Sequence, residues 1–331
     1  MKAIALISGG LDSILAARVI QEEGIEVLPL YFKIPFCQRG KGEEKDSVIR
    51  SLVKEGLNEK LEIIDISVDF LELVLSPRHG FGSNMNPCID CKIFMLKKAK
   101  ELMGDFNAQF VVTGEVLGQR PMSQHRRALD TIEKESGLSG LLLRPLCAGL
   151  LNETIPEKEG WIKRQKLLKF SGRERRPQMD LAGKFNIKNY PNASGGCLLT
   201  DKNFSSRLRD LIAHRQLNIE NVELLKIGRH FRLTKSARLI VGRNEKENKE
   251  LEAACLENDY LFAPDESTAG PTCLGRGEFD SGLIRLSAQI ARSYCDENTS
   301  VNAKIFYTHK KELFPLETTT VSEEKLSLLR L

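Results

Sequence analysis

Two short stretches of this chain carry residue types and spacings that could do chemistry. The first is S-G-G-L-D-S at 8–13. Gly9 and Gly10 let a ligand approach the backbone without a Cβ in the way. The apolar run AIALIS precedes the turn and a helical pattern begins near Leu11. The free amides and positive dipole end of a helix start therefore face whatever the turn holds. Ser8 and Ser13 add hydroxyl donors, which makes an anion cradle of phosphate size. Asp12 does not suit a purely anionic cradle. It suits one in which Mg²⁺ accompanies the phosphates and needs an oxygen ligand. The P-loop pattern G-x-x-x-x-G-K-[ST] occurs nowhere, and this turn lacks the dinucleotide pattern G-x-G-x-x-G. The second stretch is N-P-C-I-D-C-K at 86–92, whose Cys88 and Cys91 stand as C-x-x-C. That spacing alone is a weak hint of redox or metal chemistry.

The elements that must position these residues are readable from periodicity. Over the first 150 residues the runs AIALIS, VLPLYF, LEIIDISV, FVVTGEV and GLLLRPL read as strands. Several are apolar throughout, as in a parallel sheet covered on both faces. Between them LDSILAARVIQEEG, EEKDSVIRSLVKEG and CIDCKIFMLKKAKELMG read as helices, the first two stopping at Gly24 and Gly56. The alternation predicts a doubly wound α/β domain over 1–150, with the S-G-G-L-D-S turn at the ligand-binding carboxyl edge of the sheet. Residues 151–202 read as an irregular basic linker, with turns at FSGRERRP and YPNASGG. Residues 203–331 read as a separate α+β module.

The 331 residues are 41% hydrophobic and 28% charged, as in an ordinary globular protein. No run of about 18 apolar residues exists, and the N-terminus does not read as a signal peptide, so a cytoplasmic protein without membrane association is expected. Eight cysteines in such a chain do not suggest a disulfide framework. Cys37, Cys147, Cys255, Cys273 and Cys295 read as core or incidental residues. The net charge of +4 hides an asymmetry: residues 163–243 hold 19 Lys and Arg against 6 Asp and Glu, net +13. A basic block of this kind suits a polyanion partner or, equally, a solvated face.

S-G-G-x-D-S after a first strand resembles the PP-loop of the N-type ATP pyrophosphatases, which cleave ATP between its α and β phosphates and adenylate a substrate oxygen. The rest of the sequence narrows the resemblance. NPCIDCK resembles the N-P-x-x-x-C motif of tRNA 2-thiouridylases, and TGEVLGQRPMSQ at 113–124 resembles the corresponding segment of tRNA 4-thiouridine synthases, as does RPL at 144–146. The resemblance covers roughly residues 1–200. It implies that Cys91 handles sulfur, that Cys197 in SGGCLLTD is the second cysteine, and that Gly114, Gln124 and Lys92 contact the nucleotide. Asp12 would orient metal or pyrophosphate. Cys88, Cys91 and Cys197 are then either ligands of a [4Fe–4S] cluster, a pair doing persulfide chemistry beside a third thiol, or a zinc or inert set. The longer 4-thiouridine synthases carry a THUMP region before the loop, whereas here RNA binding is expected to come from elsewhere in the chain.

From about 204 to 310 the chain resembles the NFACT RNA-binding domain, on Gly242, Arg243, Asn244 and Asn248 of its G-R-N-x-x-x-N core. Arg207, Arg209, Arg215, Arg229, Arg232 and Arg243 are candidate phosphate contacts, as are Arg173, Arg175 and Arg176 in the linker. Together these resemblances imply an ATP- and Mg²⁺-dependent tRNA sulfurtransferase, fed by hydrosulfide or a separate sulfur-carrier protein. Relatives of the first kind often form dimers, so a homodimer is carried as an option. Two alternatives stay open: another PP-loop ligase, of the 7-cyano-7-deazaguanine synthase or amidating kind, and an ATP-binding RNA quality-control adaptor without thiolation activity.

Overall fold

The structure, a computed structural model, describes residues 1–36, 42–188, 190, 197–296 and 304–331, and of 42–46 the backbone alone. Cys37 and the YPNASGG turn beyond Tyr190 lie outside the described residues. The chain divides into two compact units, Met1–Thr200 and Asp201–Leu331. Residues 151–200 are thus part of the first unit.

That unit is built on five strands: β1 (Lys2–Leu6), β2 (Glu26–Lys33), β3 (Glu62–Asp65), β4 (Phe110–Thr113) and β5 (Leu142–Leu143). They are parallel and ordered β3-β2-β1-β4-β5. Its helices are α1 (Leu11–Gln21), α2 (Gly42–Leu57), α3 (Ser67–Leu75), α4 (Cys88–Leu102), α5 (Arg126–Glu135), α6 (Ile155–Lys158) and α7 (Arg176–Lys184). The expected doubly wound sheet is present. Alternate residues of β1 feed opposite cores: Ala3 and Ala5 pack with Ile14, Leu15 and Leu52, whereas Ile4 packs with Ile93, Leu96 and Ile132. Burial on both faces is why these strands read as unbroken apolar runs. The strand order reverses between β1 and β4, so the loops after those two strands part around a crevice at the carboxyl edge.

Three expectations of local structure change. LEIIDISV gives a strand of only four residues before the chain turns into α3. The charged stretch 126–135 is a helix, and so is 176–184, with a proline in its first turn where no amide need be donated. Helices α1 and α7 run side by side in the same direction. Arg175, at the head of α7, stands 3.9 Å from Asp12, and Phe185, at its foot, lies under Arg18 with 5.7 Å from guanidinium carbon to ring centre.

The second unit is a six-stranded antiparallel sheet with helices. Its strands are β6 (Arg229–Arg232), β7 (Arg238–Val241), β8 (Tyr260–Pro264), β9 (Cys273–Arg276), β10 (Lys304–His309) and β11 (Glu312–Glu317), ordered β11-β10-β8-β9-β7-β6. Its helices are α8 (Lys202–Ala213), α9 (Ile219–Leu224), α10 (Glu245–Ala253), α11 (Ser281–Arg292) and α12 (Glu323–Leu329). Helix α11 covers one face, through Ala288, Ile290 and Ala291 on Phe231, Phe262 and Ile305; Leu224 of α9 and Leu251 of α10 cover Ile240 and Leu274 on the other. On that second face Arg232, Arg238 and Arg276 stand in cross-strand register. The outer two are held by Asp210 and Asp259, and Arg238 by Asn221 Oδ1. Burial above all, and then the two flanking arginines, push Arg238 down to about 9. No described helix is long and apolar enough to cross a membrane.

Candidate active site

The S-G-G-L-D-S turn is braced from within. Gly9 takes a φ of +79°, the left-handed region that glycine enters without steric cost. Gly10 is the N-cap of α1 and no side chain caps that helix start. The Ser13 hydroxyl donates to the Gly10 carbonyl at 2.7 Å and accepts from the Ser8 amide at 3.2 Å. Its proton is directed to the loop's own carbonyl. The Ser8 hydroxyl accepts from the Gly10 amide at 3.4 Å.

Asp12 is approached from two distant segments. Gln119 Nε2 donates to its Oδ2 at 2.9 Å, and Arg175 Nη2 lies 3.9 Å from its Oδ1. Asp12 Oδ1, Gln119 Oε1 and Arg175 Nε are all buried atoms without a hydrogen bond. Three such atoms around one carboxylate mark a place prepared for a polar ligand. Arg175 was expected to meet RNA and instead faces the loop. Gln119 stood inside the quoted 113–124 segment without a role. Its signal was its place directly after Gly118, whose φ of +78° turns the chain back toward the crevice.

Gly114 packs against the loop rather than lining it. A Cβ there would sit 2.5 Å from the carbonyl carbon and oxygen of Asp12 and from the Ser13 nitrogen. Backbone cannot yield as a side-chain tip can. Gly114→Ala is therefore expected to push the segment after β4 off the start of α1, lowering stability by about 1–3 kcal/mol and abolishing MgATP binding. Thermal unfolding and isothermal titration check this. Gly10→Ala, whose Cβ would meet only Ser8 Oγ at 3.5 Å, is the folding control. A Gly114→Ala protein that binds MgATP as the parent does would refute the packing argument.

Gln124, expected at the nucleotide, closes its own loop: its side-chain oxygen accepts from the Arg120 amide at 3.0 Å and its carbonyl from the Gly118 amide at 2.7 Å. Lys92 reaches Glu115, Nζ to Oε1 3.7 Å. Glu115 is buried and also accepts from Arg144 Nε at 3.0 Å and Thr113 at 3.1 Å. Burial, the largest influence, would raise the Glu115 carboxyl; Lys92 and Arg144 outweigh it and hold the group below its ordinary value.

The cysteines come next. Cys88 and Cys91 share the first turn of α4, one helical face at i and i+3. Between them Asp90 turns inward and accepts from the amides of Arg78 at 3.1 Å and His79 at 3.0 Å. The Cys88 thiol donates to Ser123 Oγ at 3.1 Å. Cys197 begins a short segment tied to the loop ahead of α4. The Met85 amide donates to the Leu199 carbonyl at 3.1 Å and Asn84 Nδ2 to the Thr200 carbonyl at 2.8 Å. Cys88, Cys91 and Cys197 are each half-exposed and none is in a disulfide. Among the described residues, no group of three or more His, Cys, Asp or Glu is disposed to hold a metal ion. Cys88, Cys91 and Cys197, the candidate cluster ligands, are not such a group as they stand here, where the Cys88 thiol donates to Ser123. Cys147 is fully buried, and burial pushes its thiol up to about 11.

Of the candidate RNA contacts, Arg173, Arg176, Arg209 and Arg215 are exposed. Others are drawn inward. Arg207 donates to the Leu225 carbonyl at 3.1 Å, Arg229 lies over the Tyr294 ring at 4.9 Å, Arg232 pairs with Asp210, and Arg243 with Glu247.

Comparison with known proteins finds one family match within each unit. Residues 1–157 match the family model of the thiamine biosynthesis protein ThiI, and residues 228–328 that of the NFACT protein RNA-binding domain. Both expected resemblances are borne out. A probable tRNA sulfurtransferase of Thermococcus kodakarensis is 30% identical over 154 residues, 46% of this chain and 39% of that protein. A tRNA-specific 2-thiouridylase MnmA of Petrotoga mobilis is 28% identical over 130 residues, 35% of each chain. A 7-cyano-7-deazaguanine synthase of Sulfurovum is 40% identical over 73 residues, 22% of this chain and 31% of that one. Among solved structures, a 4-thiouridine synthetase–RNA complex with bound ATP has a TM-score of 0.40 at 22% identity, covering 68% of this chain and 52% of that one. The chain spans well under half the length of the curated relatives it matches.

Proposed function

We propose that this chain is an ATP-dependent tRNA sulfurtransferase that adenylates a uridine carbonyl oxygen and replaces it with sulfur. One observation carries the reading: the Cys197 segment is hydrogen-bonded, through Leu199 and Met85, to the loop that leads into the Cys88–Cys91 helix. The 118–124 loop then joins that helix to the nucleotide turn, through Ser123 on Cys88 and Gln119 on Asp12.

In this reading the triphosphate lies on the start of α1, where Gly9 and Gly10 admit it and the helix end favours its charge. Asp12 Oδ1, buried and without a hydrogen bond, fits an oxygen ligand for Mg²⁺. Bound there, the ion would neutralise phosphate charge. Arg175, whose Nη2 lies 3.9 Å from the same Asp12 oxygen, supplies a second cation toward the departing pyrophosphate. The uridine oxygen attacks the α-phosphorus and pyrophosphate leaves. A persulfide on one of Cys91 and Cys197 then attacks the activated carbon through its terminal sulfur, and AMP departs with its electron pair. The other thiolate attacks the cysteine sulfur of the mixed disulfide, releasing thiouridine and leaving a Cys91–Cys197 disulfide that an external thiol reduces. Hydrosulfide opening that disulfide in place of the external thiol leaves a persulfide on one cysteine and a thiolate on the other; alternatively, a carrier protein's persulfide passes its outer sulfur to a reduced cysteine and keeps a thiol itself. No step runs through an iron–sulfur cluster. Arg173 and Arg176, exposed beside Arg175, are the reading's phosphate contacts near the site. The NFACT-like unit supplies further RNA affinity, and the setting is the cytoplasm.

The test is direct. The protein, MgATP, a sulfide source and tRNA lacking thiouridine are incubated together. Nucleoside mass spectrometry is expected to find thiouridine, formed with one AMP per sulfur inserted. AMP formation dependent on an amine or a free base instead of tRNA would favour the other ligases. Absence of AMP with any RNA would favour the adaptor.

A further inference from the structure

Phe81 is the one Phe, Tyr or Trp side chain that stands exposed, at 42%, among the described residues of the first unit. It belongs to a loop built to hold it still. The Gly80 amide donates to the Pro77 carbonyl at 3.2 Å, and Gly80 takes a φ of +70°. The Gly82 amide donates to the Asn86 carbonyl at 2.9 Å. His79 Nε2 lies 3.1 Å from Glu135 Oε2. Asp90 accepts from two successive loop amides, those of Arg78 and His79.

The position of these anchors matters. Asp90 sits between Cys88 and Cys91, so the loop that carries Phe81 is fastened to the helical turn that carries the two thiols. On its other side the loop meets the 118–124 segment: a Cβ on Gly82 would lie 2.2 Å from Met122 Sδ. That segment carries Ser123, bonded to Cys88, and Gln119, bonded to Asp12. Phe81 is therefore carried by a loop fastened on one side to the thiol-bearing turn and on the other to the segment that reaches Asp12, and it is exposed although exposure of an aromatic ring to water is unfavourable.

We propose that Phe81 is the stacking platform for the target base, an unstacked uracil. A base taken out of its helix loses its stacking partners, and an aromatic ring offers a replacement. A uracil face on Phe81 would be held at a fixed height relative to Cys91, because loop and cysteines share Asp90. The inference rests on the sulfurtransferase reading above.

The test uses the full chain and tRNA transcripts lacking thiouridine. With Phe81→Ala the KM for tRNA is expected to rise roughly 5- to 150-fold, the worth of one base–aromatic stack, with the Kd for MgATP unchanged. Phe81→Trp should restore the parent KM, and Phe81→Leu, apolar but not aromatic, should not. In the parent, transcripts carrying 5-iodouridine at the modified position should photo-crosslink to the peptide containing Phe81. Four outcomes would overturn the inference: Phe81→Ala with the parent KM, Phe81→Leu equal to Phe81→Trp, a crosslink elsewhere, or a change in self-association of Phe81→Ala without RNA. A parent protein that thiolates no tRNA would instead overturn the reading beneath it.

Discussion

Cys197→Ala is expected to lower thiouridine formation by on the order of 10³-fold or more, with folding and MgATP binding retained. The segment around Cys197 is anchored by the backbone carbonyls of Leu199 and Thr200 and by the Leu198 amide on the Phe36 carbonyl, 3.0 Å. Removing one half-exposed thiol leaves those bonds in place. Cys91→Ala should lose as much, because either thiol alone can carry sulfur or resolve the mixed disulfide but cannot do both. Cys88→Ala separates two chemistries. A cluster held by three thiolates would fail without any one of them. A persulfide pair tolerates the change, and with the Cys88 thiol spent on Ser123 the expected loss is within about tenfold. Cys147→Ala should leave the rate unchanged, since a thiol raised to about 11 by burial is neither ionised nor reachable. Single-turnover thiolation followed by nucleoside mass spectrometry measures all four. Cys197→Ala at the parent rate would end the two-cysteine account.

The parts of this fold legible in the sequence are those that local pattern controls. Strands buried on both faces read as apolar runs, and the turn at 8–13 declares itself through Gly9 and the helix behind it. Helix α3 was hidden because its first residues continue an apolar strand, and α5 because RRALDTIEKE shows its apolar side only at Ala128, Leu129 and Ile132. Strand β11 was hidden because it is an edge, exposed and carrying Pro315, where no alternation is demanded. At the site the difficulty was direction. A basic block states how much charge is present, not where each guanidinium points. Arg175 turns to Asp12, 163 residues back along the chain, and Arg232 to Asp210. Arg243 was the exception, since its partner Glu247 lies only four residues on, in the first turn of α10, and could have been read.

Arg144→Met is expected to cost about 3–5 kcal/mol of stability near neutral pH, the usual consequence of removing one partner of a buried ion pair. Arg144 and Glu115 side chains are each only 2% exposed. The guanidinium also holds Glu133 at 2.9 Å and the Leu129 carbonyl at 3.1 Å, so one residue ties the end of β5 to the end of β4 and to α5. The pH dependence distinguishes this cause from lost packing. In the parent, Glu115 is held below its ordinary value, so its contribution is present above the unfolded carboxyl pKa of roughly 4.3 and is lost as pH falls through the lower folded value. Without Arg144 the largest influence on Glu115 is burial, opposed among the stronger charges by Lys92, and the carboxyl moves up. The variant's native state then takes up a proton more readily than its unfolded chain, so acidification from pH 7 toward 5 favours it. The gap between variant and parent should narrow over that range, and Glu115→Gln added to Arg144→Met should recover much of the loss at pH 7 and flatten the pH dependence. Urea unfolding of the three proteins at pH 5 and 7 measures both effects. A loss below about 1 kcal/mol, or a gap that widens toward pH 5, would show that the Glu115–Arg144 pair does not hold the strand ends in place.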